Sequence, residues 1–110
     1  NAPSIGATAA YIMRHIDVIA ESSQARHIFV TDNYYTSIYL AKAVLATGND
    51  LIGTMRRDRG VPACVQLPSK KPTRATPKGI VLCSYDPIHS VHIYGWMDHD
   101  SVYILDTFSK

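Results

Sequence analysis

A chain of 110 residues has the common size of one domain and leaves no room for two. Hydrophobic residues at 46% against 18% charged suit a compact core and exclude a disordered chain. A formal net charge of +2 favours no class of partner by itself. The longest apolar runs, Ile28-Phe29-Val30 and Ile80-Val81-Leu82-Cys83, are too short to span a bilayer, so no membrane role is expected. The chain opens at Asn1 without a basic-then-apolar leader, as a trimmed, processed or excised chain would, and a cleaved secretory leader stays open. Cys64 and Cys83 have no CxxC spacing; two free, partly buried thiols are expected ahead of a disulfide.

In chain order, residues 8–22 have the recurrence of an amphipathic helix, with Ile12, Ile16 and Ile19 on one side and Tyr11, Met13 and Val18 close by. His27 to Thr31 reads as a short buried strand that stops at Asp32. Thr36 or Ser37 can cap a second helix carrying Ile38, Leu40, Ala41, Val44 and Leu45, and Gly48 is a good stop. Asp50 to Met55 is another short strand. From Arg56 to Lys78, four prolines and little apolar periodicity predict an extended loop or insertion. Beyond Gly79, strands over 80–85, 91–97 and 102–105 are separated by Asp86-Pro87 and Asp98-His99-Asp100, which predicts a three-stranded antiparallel meander. The chain thus divides into an α/β part (1–55), a basic Pro-rich loop (56–78) and a β-meander (79–110) within one domain.

Asp32 stands where an apolar strand ends and a capped helix begins, a place where ligand and metal sites gather in open α/β sheets. Its carboxylate is a hard oxygen ligand of the type magnesium takes. From spacing alone a turn or capping role is the favoured account, since Asp and Asn before a helix usually serve there. Residues 56–78 hold Arg56, Arg57, Arg59, Lys70, Lys71, Arg74 and Lys78 against Asp58 alone, seven cations and one acid for a net +6. With the whole chain at +2, the remainder carries −4. Such a concentration is a footprint for phosphate contacts with duplex DNA; a solvated loop kept soluble by its charges is the alternative.

Other signals are weaker. His89 and His92, spaced i, i+3, fall on opposite faces of a strand, and no partner suggests zinc. His15 is expected as an ordinary surface or core histidine. His92, Tyr94 and Trp96 share a strand face, expected to pack on a helix or another chain rather than to stack bases.

Val30-Thr31-Asp32-Asn33-Tyr34-Tyr35-Thr36-Ser37 closely resembles the D-N-aromatic-aromatic-T-S motif of piggyBac-type transposases. Gly53-Thr54-Met55-Arg56-Arg57-Asp58-Arg59-Gly60-Val61-Pro62 resembles that family's G-T-x-R-x-N-R-G-x-P stretch. Trp96-Met97-Asp98 and Val102 to Thr107 resemble its W-x-D and V-x-x-L-S-T strands. The three motifs in this order cover nearly all of the chain past residue 27. Asp58 and Asp106 depart from the family's usual asparagine and serine, as in a diverged or domesticated copy.

The resemblance implies a truncated ribonuclease-H-like α/β fold, its later half with the start of an insertion, and a nuclear location. It makes Asp32 the second of three catalytic aspartates, with magnesium as the cofactor of the intact enzyme. The first and third aspartates would lie outside this chain. Two-metal phosphodiester chemistry needs several carboxylates around ions roughly 3.5–4 Å apart, so Asp32 alone is expected to bind magnesium weakly and the isolated chain to be inactive. Loss of the earlier strands would leave an open sheet edge and face, which implies a homodimer or another protein partner. A DNA-related domain and a non-catalytic protein-interaction module, regulatory or secreted, are the two functions that follow.

Overall fold

The computed structural model describes residues 6–22 and 25–108, with side chains from residue 10 onward. Among these lie α1 (Gly6–Ser22), β1 (Ile28–Thr31), α2 (Ile38–Ala46), β2 (Asp50–Met55), a 3-10 turn (Ala63–Val65), β3 (Val81–Asp86), β4 (Val91–Met97) and β5 (Ser101–Asp106). The five strands form one mixed sheet in the order β1-β2-β5-β4-β3, with β1 and β2 parallel and every other pair antiparallel. The expected meander forms, but it does not stand apart from the α/β half. Met55 pairs with Tyr103 and Ile52 with Asp106, so β2 and β5 weld the two into one layer.

Local chemistry sets the helix limits. Ser37 is the N-cap of α2, its hydroxyl accepting the Leu40 amide at 3.1 Å. At the other end Gly48 takes φ +82, its amide bonds Leu45 O at 2.9 Å and the Asn49 amide reaches Val44 O at 3.3 Å. Those are the two bonds of a Schellman stop, which places glycine where a left-handed residue is required. Leu40, Ala41 and Val44 then lie buried against β2. The α1 helix packs on α2 through Ile16, with Ile12 and Met13 beside it. Ile19, expected on that stripe, is exposed, because the buried stripe runs through Met13 rather than past Ile16. No described helix is long and apolar enough to cross a membrane.

Strand alternation divides the sheet into two unlike faces. Leu51, Met55, Val91, Ile93, Tyr103 and Leu105 join α1 and α2 in the core. The opposite face carries Val30, Ile52, Ile104, His92, Tyr94 and Trp96, and no described helix covers it. Val30 is 78% exposed, so β1 is an edge strand buried on one side only rather than a fully buried one. The His92-Tyr94-Trp96 row therefore faces away from the helices. Cys64 and Cys83 are free and exposed, not partly buried: Cys83 projects from edge strand β3, and Cys64 from the 3-10 turn whose inward residue is Val65. His89 lies in the β3–β4 turn rather than on a strand, paired with Asp86 Oδ2, so it does not oppose His92 across the sheet.

The basic segment is more ordered than an extended loop. Val61, Val65 and Leu67 are buried, and the Leu67 amide donates to Tyr103 Oη at 2.9 Å. Gly95 is what lets it settle, since a Cβ there would stand 2.3 Å from Val65 O. A Gly95→Ala substitution must push the segment off β4. We expect it to lower stability by about 1–3 kcal/mol, the usual cost of overpacking, measured as a drop in the midpoint of urea or thermal unfolding. An unchanged midpoint would show that the segment is not seated on the sheet in solution.

Candidate nucleic-acid interface around Asp32

The turn after β1 is fixed by its own side chains. Asp32 O accepts the amides of Tyr35 and Thr36, each at 3.1 Å, and the Thr36 hydroxyl at 2.8 Å. Asp32 Oδ1 accepts the Tyr34 amide at 3.0 Å, an Asx turn. Thr36 is fully buried and its hydroxyl lies 2.7 Å from that of Thr31. The two hydroxyls sit on Gly53, where a Cβ would stand 2.5 Å from Thr36 Oγ1 and 2.4 Å from Thr31 O. The Asp32 side chain itself is exposed.

The arginines that follow β2 gather on this turn. The Arg56 guanidinium lies over the Tyr34 ring, 5.5 Å from its centroid. Arg59 donates to Tyr34 O at 3.4 Å, a long contact, while Gly60 sits against Ile38 at the start of α2. Arg57 turns the other way, donating to Gln66 Oε1 through Nε at 3.4 Å and Nη2 at 3.3 Å. Arg56, Arg57 and Lys70 line one cleft with Asn33, Ser101 and Tyr103.

The remaining predicted cations are placed elsewhere. Lys71 Nζ pairs with Asp100 Oδ1 at 2.5 Å and Lys78 Nζ with Asp98 Oδ1 at 3.7 Å, both at the β4–β5 turn. Arg74 belongs to the stretch closed by the Thr73 amide donating to Thr76 O at 3.0 Å. With Asp98 and Asp100 counted against it, the segment's +6 falls to +4. Sequence reasoning treated the seven cations as one set and missed this pairing, although the Asp-His-Asp turn was the visible signal. It also missed Asn33 and Ser101 as cleft residues, for which spacing gives no sign.

A second network holds the far end of the sheet. Arg26 grips the buried Asp50 through Nε at 2.5 Å and Nη2 at 3.0 Å, and Asp50 Oδ1 also accepts the Thr107 hydroxyl at 2.9 Å. The carboxylate raises the Arg26 pKa, through its hydrogen bond and then its charge. These groups are saturated with one another and hold the sheet together.

Among the described residues no three His, Cys, Asp or Glu side chains converge on one point, and Asp32 already spends one oxygen on the Tyr34 amide.

A family model described as Transposase IS4 matches residues 1–110. The chain belongs to that transposase family. A cryo-EM structure of a piggyBac transposase synaptic complex with hairpin DNA has the same fold over this region, with a TM-score of 0.72 at 20% identity. The match covers 99% of this chain and 22% of that one, so the transposase segment spans somewhat less than a quarter of that relative. No curated protein matches the sequence.

Within this transposase segment the Lys71–Asp100 pair has a defined pH signature. The ion pair with Lys71 lowers the Asp100 pKa from its ordinary value of 3.8, outweighing the opposing effect of burial. A lowered carboxylate contributes stability that is fully present above its unfolded value and lost as pH falls through its lowered native one. A carbon-detected titration should therefore place the Asp100 midpoint below 3.8, and Lys71→Gln should move it back up. Equal midpoints in the two proteins would mean that the pair does not persist in solution.

Proposed function

We propose that this chain is a DNA-contacting part of a transposase catalytic domain, incomplete as a catalyst by itself. The reading is supported by the family match and by one observation above all: Arg56 and Arg59 rest on Tyr34 in the turn that presents Asp32, and Arg56, Arg57 and Lys70 line a cleft with Asn33 of the same turn. Phosphate contacts from such a group supply affinity without reading sequence. Asp32 is one carboxylate of a metal-dependent site whose other ligands come from outside this chain. The parent fold is read as ribonuclease-H-like, of which the parallel β1-α2-β2 unit is a part. Magnesium belongs to the intact enzyme.

The test is duplex affinity at two salt concentrations. Four phosphate contacts predict a slope of log K against log salt near about −3.6, and replacing Arg56, Arg57 and Arg59 by alanine should make it shallower by about 2.7. Replacing Asp98 and Asp100 by asparagine releases Lys71 and Lys78 and should steepen it by up to about 1.8. Absence of binding even at low salt would remove the DNA reading.

One observation favours a second reading, a protein-interaction module: the open sheet face and its β1 edge, with Val30, Ile28 and Trp96 exposed. Unpaired edges and apolar faces recruit another chain. On this reading the chain is a homodimer at high micromolar concentration in sedimentation, and Val30→Lys shifts it to monomer. A strictly monomeric native chain counts against it.

A further inference from the structure

The cleft beside Asn33 has a composition that calls for a ligand. It measures about 380 Å³, with Met55 and Tyr103 as floor, Asn33 and Ser101 as walls, and Arg56, Arg57 and Lys70 at the rim. No carboxylate lines it. Three cations around one opening repel one another, and a bound anion relieves that repulsion.

Each cation is anchored by something other than an acid. The Arg56 guanidinium rests over the Tyr34 ring. Arg57 is steadied by Gln66 Oε1, and Gln66 is itself fixed by donating through Nε2 to Val61 O at 3.0 Å. Lys70 is fixed at its backbone, where its carbonyl accepts the Ser101 amide at 2.8 Å. Arg57 uses Nε and Nη2 on Gln66, leaving Nη1 for a ligand. The neighbouring lysines differ, since Lys71 and Lys78 are neutralised by Asp100 and Asp98. Positive charge is thereby concentrated at this opening, with Asp100 near enough to Lys70 to feel its charge but not lining the cleft.

We propose that the cleft is a phosphate-binding site, held by Arg56, Arg57 and Lys70 with Asn33 and Ser101 as neutral donors. The inference rests on the DNA reading above and deepens it by locating one phosphate. A tetrahedral phosphate offers several oxygens to cations converging from different directions, and arginine's planar fork matches two of them at once. A carboxylate instead confines its acceptors to one plane, a poorer match to cations that approach from different directions. The ligand's source is the phosphodiester of a nucleic-acid strand or a free phosphate; both set anionic oxygens on a tetrahedral phosphorus, two unesterified in the diester and four in the free ion. Because the cleft joins the turn after β1, the end of β2, the basic segment and the start of β5, a bound phosphate would tie four segments together. A strand phosphate seated there would fix the register of the strand beside the Asp32 turn, which is what backbone contacts do.

The experiment is an amide chemical-shift titration of the native chain with inorganic phosphate, with acetate at equal ionic strength as control, followed by a short duplex. Phosphate should shift Asn33, Lys70 and Ser101 saturably, acetate should not, and a double Arg57→Gln, Lys70→Gln variant should lose the response. Both changed side chains are exposed, so the melting midpoint should hold and serves as the folding check. Against duplex, that variant should lose tenfold or more in affinity, while Arg74→Gln with Lys78→Gln loses clearly less. Equal losses from the two pairs would overturn the cleft while leaving the DNA reading intact. Phosphate shifts at the cleft without duplex binding would sustain the site, make free phosphate its ligand and remove the DNA reading. Acetate shifts equal to those of phosphate would overturn the site as a phosphate receptor and point to acidic peptides.

Discussion

The antiparallel seam between β2 and β5 is the constraint on which the other arrangements depend. β2 is already committed on its other edge to parallel β1, and the strands after residue 79 join the helical half by pairing with its remaining edge. The register matters as much as the pairing. A slip of one residue would turn Leu51 and Met55 outward and bring Ile52 and Thr54 against α2. Both ends of the seam are pinned. Thr107 exchanges bonds with Leu51 at one end, its amide reaching Leu51 O at 3.0 Å and its hydroxyl accepting the Leu51 amide at 2.9 Å. Near the other, Tyr103 holds the Leu67 amide and with it the middle of the basic segment. Fixing β2 against β5 is therefore what delivers Lys70 and Ser101 to the same cleft as Asn33 and Arg56.

Local elements were legible because their signals are local. Ser37 and Gly48 bound α2 by cap chemistry, and Asp50 to Met55 and Val91 to Met97 occupy the strands that their apolar patterns predict. The seam was not legible, since nothing in the alternation of β2 or β5 says which partner each will take. Burial of the basic segment was hidden for a related reason. Val61, Val65 and Leu67 follow neither a helical nor a strand period, because what they pack on is the sheet surface opened by Gly95. The exposure of the cysteines went the same way: Cys83 sits on the outward side of β3, and β3 is an edge only because β4 and β5 fill the middle.

Charge behaves similarly. A count along the chain gives +6 over residues 56–78, but the fold lays two aspartates of a distant turn onto two of its lysines. What remains is unevenly distributed, with the arginines after β2 held by an aromatic ring, a carbonyl and an amide instead of by acids. Cations held by neutral partners keep their charge available to a ligand, whereas cations in ion pairs must first give up a partner. Position in the fold, rather than number, decides which of the seven are offered.

The same distinction applies to the motif around Asp32. Most of its letters are accounted for by the turn itself: Thr36 bridges Thr31 and Asp32, Ser37 caps α2, and the Asp32 carbonyl and one carboxylate oxygen close the loop. Gly53, from the second motif, is required because the two threonine hydroxyls occupy the space of its missing side chain. Agreement with the transposase pattern at these positions is thus accounted for by the making of a turn on a parallel strand pair, without appeal to chemistry on DNA. The residues whose identity the turn does not demand are Asn33, Arg56 and Arg57, each exposed and facing the cleft. These are the positions whose side chains the fold leaves open to a ligand.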